Sequence, residues 1–266
     1  MKTVVSILVF VLLGCTTPTQ KISDTAKNLG FLPFELSTAK FRLYSFYKPP
    51  AREHRVLHVY LEGDGKPWAS PIRIAEDPTP RNPVMLRLMA LDESPAIYLG
   101  RPCYFDHAND PGCQPVLWTH RRYAPEILES LADGLRQFLS IHPYPRLIFL
   151  GHSGGGVLAL LLAERFPESV AVVCLATNVD ILAWTTLHGY TPLRGSLNPT
   201  EQASLPFREY FFFGEDDTNV PSTVFAPIAK KRSQATVKII RGADHQCCWE
   251  RVWSDILRPL TVYEKP

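Results

Sequence analysis

The apolar run Arg146-Leu147-Ile148-Phe149-Leu150 passes directly into Gly151-His152-Ser153-Gly154-Gly155, and this into the helical run Val157 to Phe166. That order constrains the chain most, because it demands a buried strand, a tight turn carrying one serine, and a helix. Glycines at 151 and 155 suit such a turn, since a side chain there would meet the neighbouring strand or helix. A serine hydroxyl is a poor nucleophile until a base removes its proton, and a strand-to-helix turn lifts it clear of the sheet, where base and substrate can reach it. The helix that follows brings N–H groups and a partial positive charge near a developing oxyanion. Ser153 is therefore the candidate nucleophile, and the Gly154 amide a candidate oxyanion donor.

The rest of the chain supplies a scaffold for that turn. Strands are predicted at 40–47, 55–61, 96–99, 146–150, 170–176, 208–213 and 236–240. Helices are predicted at Pro125 to Leu139, Val157 to Phe166, Thr223 to Lys231 and Cys248 to Leu257. In the first helix Ile127, Leu128, Leu131, Leu135 and Phe138 recur at helical spacing. Strands alternating with such helices give a doubly wound, mainly parallel α/β sheet, whose sites collect at the carboxyl ends of the strands. One domain accounts for the length. The 28 basic and 26 acidic side chains nearly balance and leave no electrostatic footprint for nucleic acid. Of the 24 prolines, eight fall in 93–115 and 192–221, as in elaborated, ordered loops.

Two loops beyond predicted strands hold an acid and a base. The strand ending at Phe213 leads into Gly214-Glu215-Asp216-Asp217-Thr218-Asn219-Val220-Pro221. The last strand leads into Arg241-Gly242-Ala243-Asp244-His245. The order Ser153, Asp217, His245 and the pattern Gly214-x-x-Asp217-x-x-Val220-Pro221 resemble the α/β-hydrolase superfamily over residues 40–260. The resemblance implies that His245 takes the serine proton and that Asp217 orients the imidazole. Asp216 and Asp180 stand in reserve as the acid. It also implies that the second oxyanion donor is the backbone amide of Asp64, in Leu61-Glu62-Gly63-Asp64-Gly65-Lys66. Glu62 there departs from the usual histidine. Two acidic side chains beside an oxyanion hole need neutralising, so Lys66, Arg101 or Arg121 is expected to pair with them. Residues 101–123 are either an anion-contacting wall or a solvated, salt-bridged loop. Residues 178–206, with Trp184, Leu187, His188, Tyr190 and Leu193, fall where members of that superfamily carry cap insertions, which implies a short cap here. His152, His54, His58, His107 and His142 read as structural.

The amino terminus suggests a location. Met1-Lys2 precedes ten largely apolar residues, Val4 to Leu13, too few to span a bilayer as a helix. Leu12-Leu13-Gly14-Cys15 resembles a bacterial lipobox, which implies removal of residues 1–14 and lipidation of Cys15. Thr16 after the cysteine favours the outer membrane of the cell envelope over the inner one; a plain secretory leader is the other reading. Residues 15–38 are then a tether and lead-in, and 39–266 the catalytic domain. In an oxidising compartment Cys103 and Cys113 are expected to close their loop, Cys174 to lie in the core, and Cys247 and Cys248 have no assigned partner.

The combined expectation is a monomeric, membrane-tethered serine hydrolase that acts on a small acyl substrate, an ester or thioester, with no metal or organic cofactor. Two alternatives stay open. One is a peptidase or amidase of the same fold, with Glu62 and Asp64 holding a substrate ammonium. The other is a non-catalytic binding lipoprotein. A dehalogenase would carry aspartate in place of Ser153.

Overall fold

The computed structural model describes residues 16–51 and 53–264. The lipidation candidate Cys15 and the leader therefore lie outside the described residues. Among the described residues no helix is long and apolar enough to cross a membrane.

Eight strands form one sheet. In chain order these are β1 (Leu32–Ser37), β2 (Arg42–Lys48), β3 (Val56–Leu61), β6 (Ala96–Tyr98), β7 (Arg146–His152), β8 (Ser169–Leu175), β9 (Arg208–Gly214) and β10 (Ala235–Ile240). A separate hairpin, β4 (Trp68–Ser70) and β5 (Arg73–Ile74), makes up the count. The spatial order is β1-β2-β6-β3-β7-β8-β9-β10, antiparallel at β1/β2 and β2/β6 and parallel from β6 to β10. The central strand β3 is buried at all six positions. A parallel strand covered on both faces must be apolar throughout, and Val-Leu-His-Val-Tyr-Leu meets that demand with two polar exceptions that find a partner. Both His58 and Tyr60 bind the carboxylate of Asp92, each at 2.5 Å.

Helices α2 (Val84–Ala90), α3 (Pro125–Ile141), α4 (Gly154–Ala163) and α6 (Ser222–Ala229) flank the sheet. Helix α3 buries the predicted stripe Ile127, Leu128, Leu131, Leu135 and Phe138. Helix α4 is buried all round, at every one of its ten residues, as its uniformly apolar sequence requires. It begins at Gly154, three residues before the predicted start, so it opens immediately after Ser153.

The lead-in read as 15–38 belongs, from Pro18 onward, to the fold. Helix α1 (Pro18–Asn28) buries Ile22 and Ala26, and β1 pairs with β2 along its whole length. The predicted helix at 248–257 is a 3-10 turn over Trp249–Val252 followed by α7 (Trp253–Leu257). Its first residue, Cys248, has φ +78°, a left-handed conformation that no helix continues.

Cys103 and Cys113 are bonded, Cys174 is free and buried, and Cys247 and Cys248 are bonded to each other. Opening the Cys103–Cys113 loop by replacing both residues with serine is expected to cost about 2–3 kcal/mol in the chain-entropy picture. Urea titration of the oxidised chain against the double variant checks this.

Candidate active site

Ser153 joins the last residue of β7 to the first of α4. Its backbone has φ +52° and ψ −125°, a strained conformation for a residue with a side chain. It is held there by Ser153 N–H to Leu175 O at 2.8 Å and Gly156 N–H to Ser153 O at 2.9 Å. The two flanking glycines are needed for close approach. A Cβ on Gly151 would lie 2.2 Å from Gly155 O, and one on Gly155 would lie 2.1 Å from Leu61 O in β3.

The acid and base loops deliver their side chains to the same point. Asp217 follows the end of β9 by three residues, and its Oδ1 accepts the amides of Asn219 and Val220, each at 2.8 Å. Its Oδ2 lies 2.9 Å from His245 Nδ1, and His245 Nε2 lies 3.1 Å from Ser153 Oγ. Burial opposes the Asp217 charge, but the bond to His245 and the two amides outweigh it and hold the carboxyl below the usual range. The reserve acids are placed elsewhere. Asp180 caps α5 (Ile181–Leu187) through the amides of Leu182 and Ala183, and Asp216 is exposed.

His152, read as structural, touches this line directly. Its Nε2 donates to the backbone carbonyl of His245 at 2.6 Å, and the two rings lie 5.0 Å apart. Burial, helped by His245, pushes His152 down to about 3, so it stays neutral and keeps the one ring proton this bond needs.

The loop after β3 places two acids behind the serine, each neutralised differently. Asp64 receives Arg101 Nη1 at 2.8 Å, Arg122 Nη1 at 2.7 Å and the Tyr123 hydroxyl at 2.7 Å, while its carbonyl accepts the Tyr104 hydroxyl at 2.9 Å. Burial raises its pKa, and the two guanidiniums overcome that and hold it at about 2. Of the expected partners only Arg101 is used. Arg121 pairs with Glu126, and its neighbour Arg122 takes the place on Asp64. Among the described residues no guanidinium bonds Glu62, and Arg87 acts on it only at a distance. Its oxygens accept the amides of Gly63 at 3.1 Å and of Met85, in the first turn of α2, at 2.9 Å.

Burial pushes Glu62 up to about 7 from an unfolded value of 4.5. Between those values the folded chain holds a proton that the unfolded chain has released, so the contribution is complete below about pH 4.5 and is lost as pH rises through about 7. At 1.36 kcal/mol per unit this amounts to roughly 3 kcal/mol. Thermal unfolding is expected to show stability falling from pH 5 to pH 8 in the wild type, and a flatter profile in Glu62→Gln.

The serine opens on a cleft of about 880 Å³, whose walls include Lys66, Trp68, Arg122, Trp184, Tyr190 and Leu193. The 178–206 segment contributes α5 and an aromatic cluster in which His188 stacks on Tyr190 at 5.1 Å and Trp184 packs edge-on against both. The 101–123 segment is mostly an internal, salt-bridged support. Trp118 donates to Ala75 O, Arg101 and Arg122 hold Asp64, and His120 and Arg122 alone of its residues line the cleft.

This arrangement of sheet and flanking helices recurs in solved structures. An esterase of Pyrococcus furiosus superposes with a TM-score of 0.66 at 13% identity, over 90% of this chain and 94% of that one. A proline iminopeptidase of Mycobacterium smegmatis gives 0.66 at 11% identity, over 88% and 99%. A protein of unknown function from Agrobacterium tumefaciens, assigned to the α/β hydrolases, gives 0.60 at 15%, over 89% and 99%. The fold is that of the α/β hydrolases. In sequence, the RutD protein of Cronobacter sakazakii, named as a carbamate hydrolase, is 30% identical over 123 residues, 43% of this chain; the match spans 44% of that relative's own length. No family model matches the chain.

Within the α/β-hydrolase frame, residues to which the sequence analysis gave no role at the serine hold much of the site together. Arg122 and Tyr123 fix Asp64, His152 fixes the His245 backbone, and the Asn219 side chain reaches His245 Nε2 at 2.9 Å. The position of His152 beside the serine was visible. Nothing in the acid loop distinguishes Asn219, whose side-chain partners lie 26 to 35 residues away in the chain.

Proposed function

We propose that the chain is a serine hydrolase that cleaves an ester or thioester through an acyl-serine. The observation that carries this is the hydrogen-bonded line Asp217–His245–Ser153 opening on the cleft. In this reading His245 Nε2 takes the Ser153 proton as Oγ attacks the acyl carbon, and Asp217 stabilises the imidazolium. The amides of Gly154 and Asp64 receive the oxyanion. Collapse expels the alcohol or thiol, which leaves with the proton from His245. Water then attacks the acyl-serine with His245 again as base, releasing the acid and restoring Ser153.

The ester reading is favoured over a peptidase by the state of the two acids. Asp64 already has three donors and Glu62 is buried on backbone amides, so neither offers a carboxylate to a substrate ammonium. The hydrogen-bonded line Asp217–His245–Ser153 likewise argues against a purely binding role. The test is a comparison of p-nitrophenyl esters with aminoacyl anilides. We expect kcat/KM for the esters to exceed that for the anilides by at least about 100-fold, the scale on which a site lacking the partner for a substrate polar group discriminates. Anilides turned over as fast as esters would overturn the reading.

As a further part of the proposal, lipidation of Cys15 tethers this activity to the envelope, the outer membrane being favoured by Thr16. Metabolic labelling with a fatty acid, present in the wild type and lost in Cys15→Ser, supports the tether; its absence from both removes it.

A further inference from the structure

We propose that Asn219 is a positioning residue that ties the 178–206 segment to the readiness of His245, an inference whose catalytic meaning rests on the serine-hydrolase reading. Asn219 touches acid, base and cap at once. Its backbone amide donates to Asp217 Oδ1 at 2.8 Å, and its side-chain nitrogen lies 2.9 Å from His245 Nε2, the same atom that faces Ser153 Oγ at 3.1 Å. On the cap side, Trp184 Nε1 donates to the Asn219 carbonyl at 3.2 Å and to its Oδ1 at 3.3 Å. His188 Nε2 lies 2.7 Å from the same carbonyl.

These partners fix the chemistry of each contact. An indole nitrogen can only donate, so the amide end facing Trp184 is the oxygen and the end facing His245 is the NH2 group. His245 Nε2 must then accept, which puts the ring proton on Nδ1, toward Asp217. A neutral imidazole nitrogen offers one lone pair, and here two donors converge on it, the Asn219 amide and the Ser153 hydroxyl. Asn219 thus holds His245 in the tautomer a base requires while competing with the serine for it.

The competition has to end when the reaction starts. Once Nε2 carries the serine proton it faces the Asn219 NH2, donor against donor, so the imidazolium forms as the amide moves away. The indole of Trp184 resists that movement by holding Oδ1. Trp184 and Tyr190 pack together at 5.2 Å and both line the cleft, so a substrate lodged against them loosens the latch as it binds. Trp184 is therefore the point at which cleft occupancy reaches the base.

The test uses the full chain and two variants, Asn219→Ala and Trp184→Phe, with circular dichroism to verify that each is folded. The first readout is the nitrogen resonance of His245 Nε2 in histidine-labelled protein, assigned by its loss in His245→Gln. Both variants are expected to shift it in one direction. The second is the rate at which a small fluorophosphonate labels Ser153. Asn219→Ala is expected to be labelled about fivefold faster, the factor set by one neutral hydrogen bond. Trp184→Phe should shift the rate the same way, and the double variant should fall short of the product of the singles. An unmoved Nε2 resonance in Asn219→Ala overturns the link whatever the labelling shows. So does labelling slowed by Asn219→Ala and untouched by Trp184→Phe, the pattern of a merely structural role. A wild type that is folded but unlabelled would count against the serine-hydrolase reading, and the resonance would then decide the link by itself.

Discussion

Asp217→Asn is expected to lower kcat/KM for an ester by about 10⁴-fold while leaving the fold intact. The substitution preserves shape, and its amide oxygen can still accept the Asn219 and Val220 amides that now bind Oδ1. Its NH2 group must then face His245 Nδ1, where Oδ2 now sits at 2.9 Å. A donor there forces the ring proton onto Nε2, and Nε2–H cannot accept the serine proton. The loss therefore comes from the wrong tautomer more than from a displaced side chain. Steady-state kinetics with a p-nitrophenyl ester, alongside thermal unfolding, checks it. A loss below tenfold would mean that Asp217 does not serve as the acid.

Asp64→Ala is expected to destabilise the chain by about 3–5 kcal/mol, because it strips the counter-charge from two buried cations. Arg101 and Arg122 are 4% and 6% exposed, and both direct Nη1 at this carboxylate. Asp64→Asn should cost nearly as much, since it fills the same space without the charge. An exposed pair supplies the contrast. Asp133 and Arg136 are both half in solvent, and Asp133→Ala should change stability by no more than about 0.5 kcal/mol. Urea unfolding of the three variants makes the comparison. A loss of under about 1 kcal/mol for Asp64→Ala would show that water or another group neutralises the arginines.

The elbow and the residues that meet as Ser153, His245 and Asp217 were legible because they depend on short-range pattern: an apolar strand, glycines at two forced positions, and loops that follow strands. Asp217 was favoured over Asp216 by the resemblance of Gly214-x-x-Asp217-x-x-Val220-Pro221, and it is the one whose carboxylate accepts the amides of Asn219 and Val220. Helix α1 was not legible. Its sequence Pro-Thr-Gln-Lys-Ile-Ser-Asp-Thr-Ala-Lys-Asn is polar and buries only Thr19, Ile22 and Ala26, too thin a stripe to stand out beside an apolar leader. Helix α2, Val-Met-Leu-Arg-Leu-Met-Ala, fails the opposite way, being apolar with no period to read.

The electrostatics behind the serine divide along the same line. That Asp64 needed a cation was foreseeable, but Arg121 and Arg122 are adjacent and only the turn of the backbone before α3 decides which one points inward. The raised Glu62 and the Asn219 contact are products of tertiary packing. Each depends on groups brought together from distant parts of the chain, Glu62 with the Met85 amide and Asn219 with the side chains of Trp184 and His245.

The central claim is that Ser153 is a nucleophile activated by His245. Intact-mass analysis after exposure to a fluorophosphonate addresses it most directly, with Ser153→Ala and His245→Ala treated in parallel. One adduct is expected on the wild type, none on Ser153→Ala, and labelling of His245→Ala slowed by at least about 100-fold, the lower end of what general base assistance contributes. A folded wild type that takes no adduct, or a Ser153→Ala chain that still takes one, would contradict it.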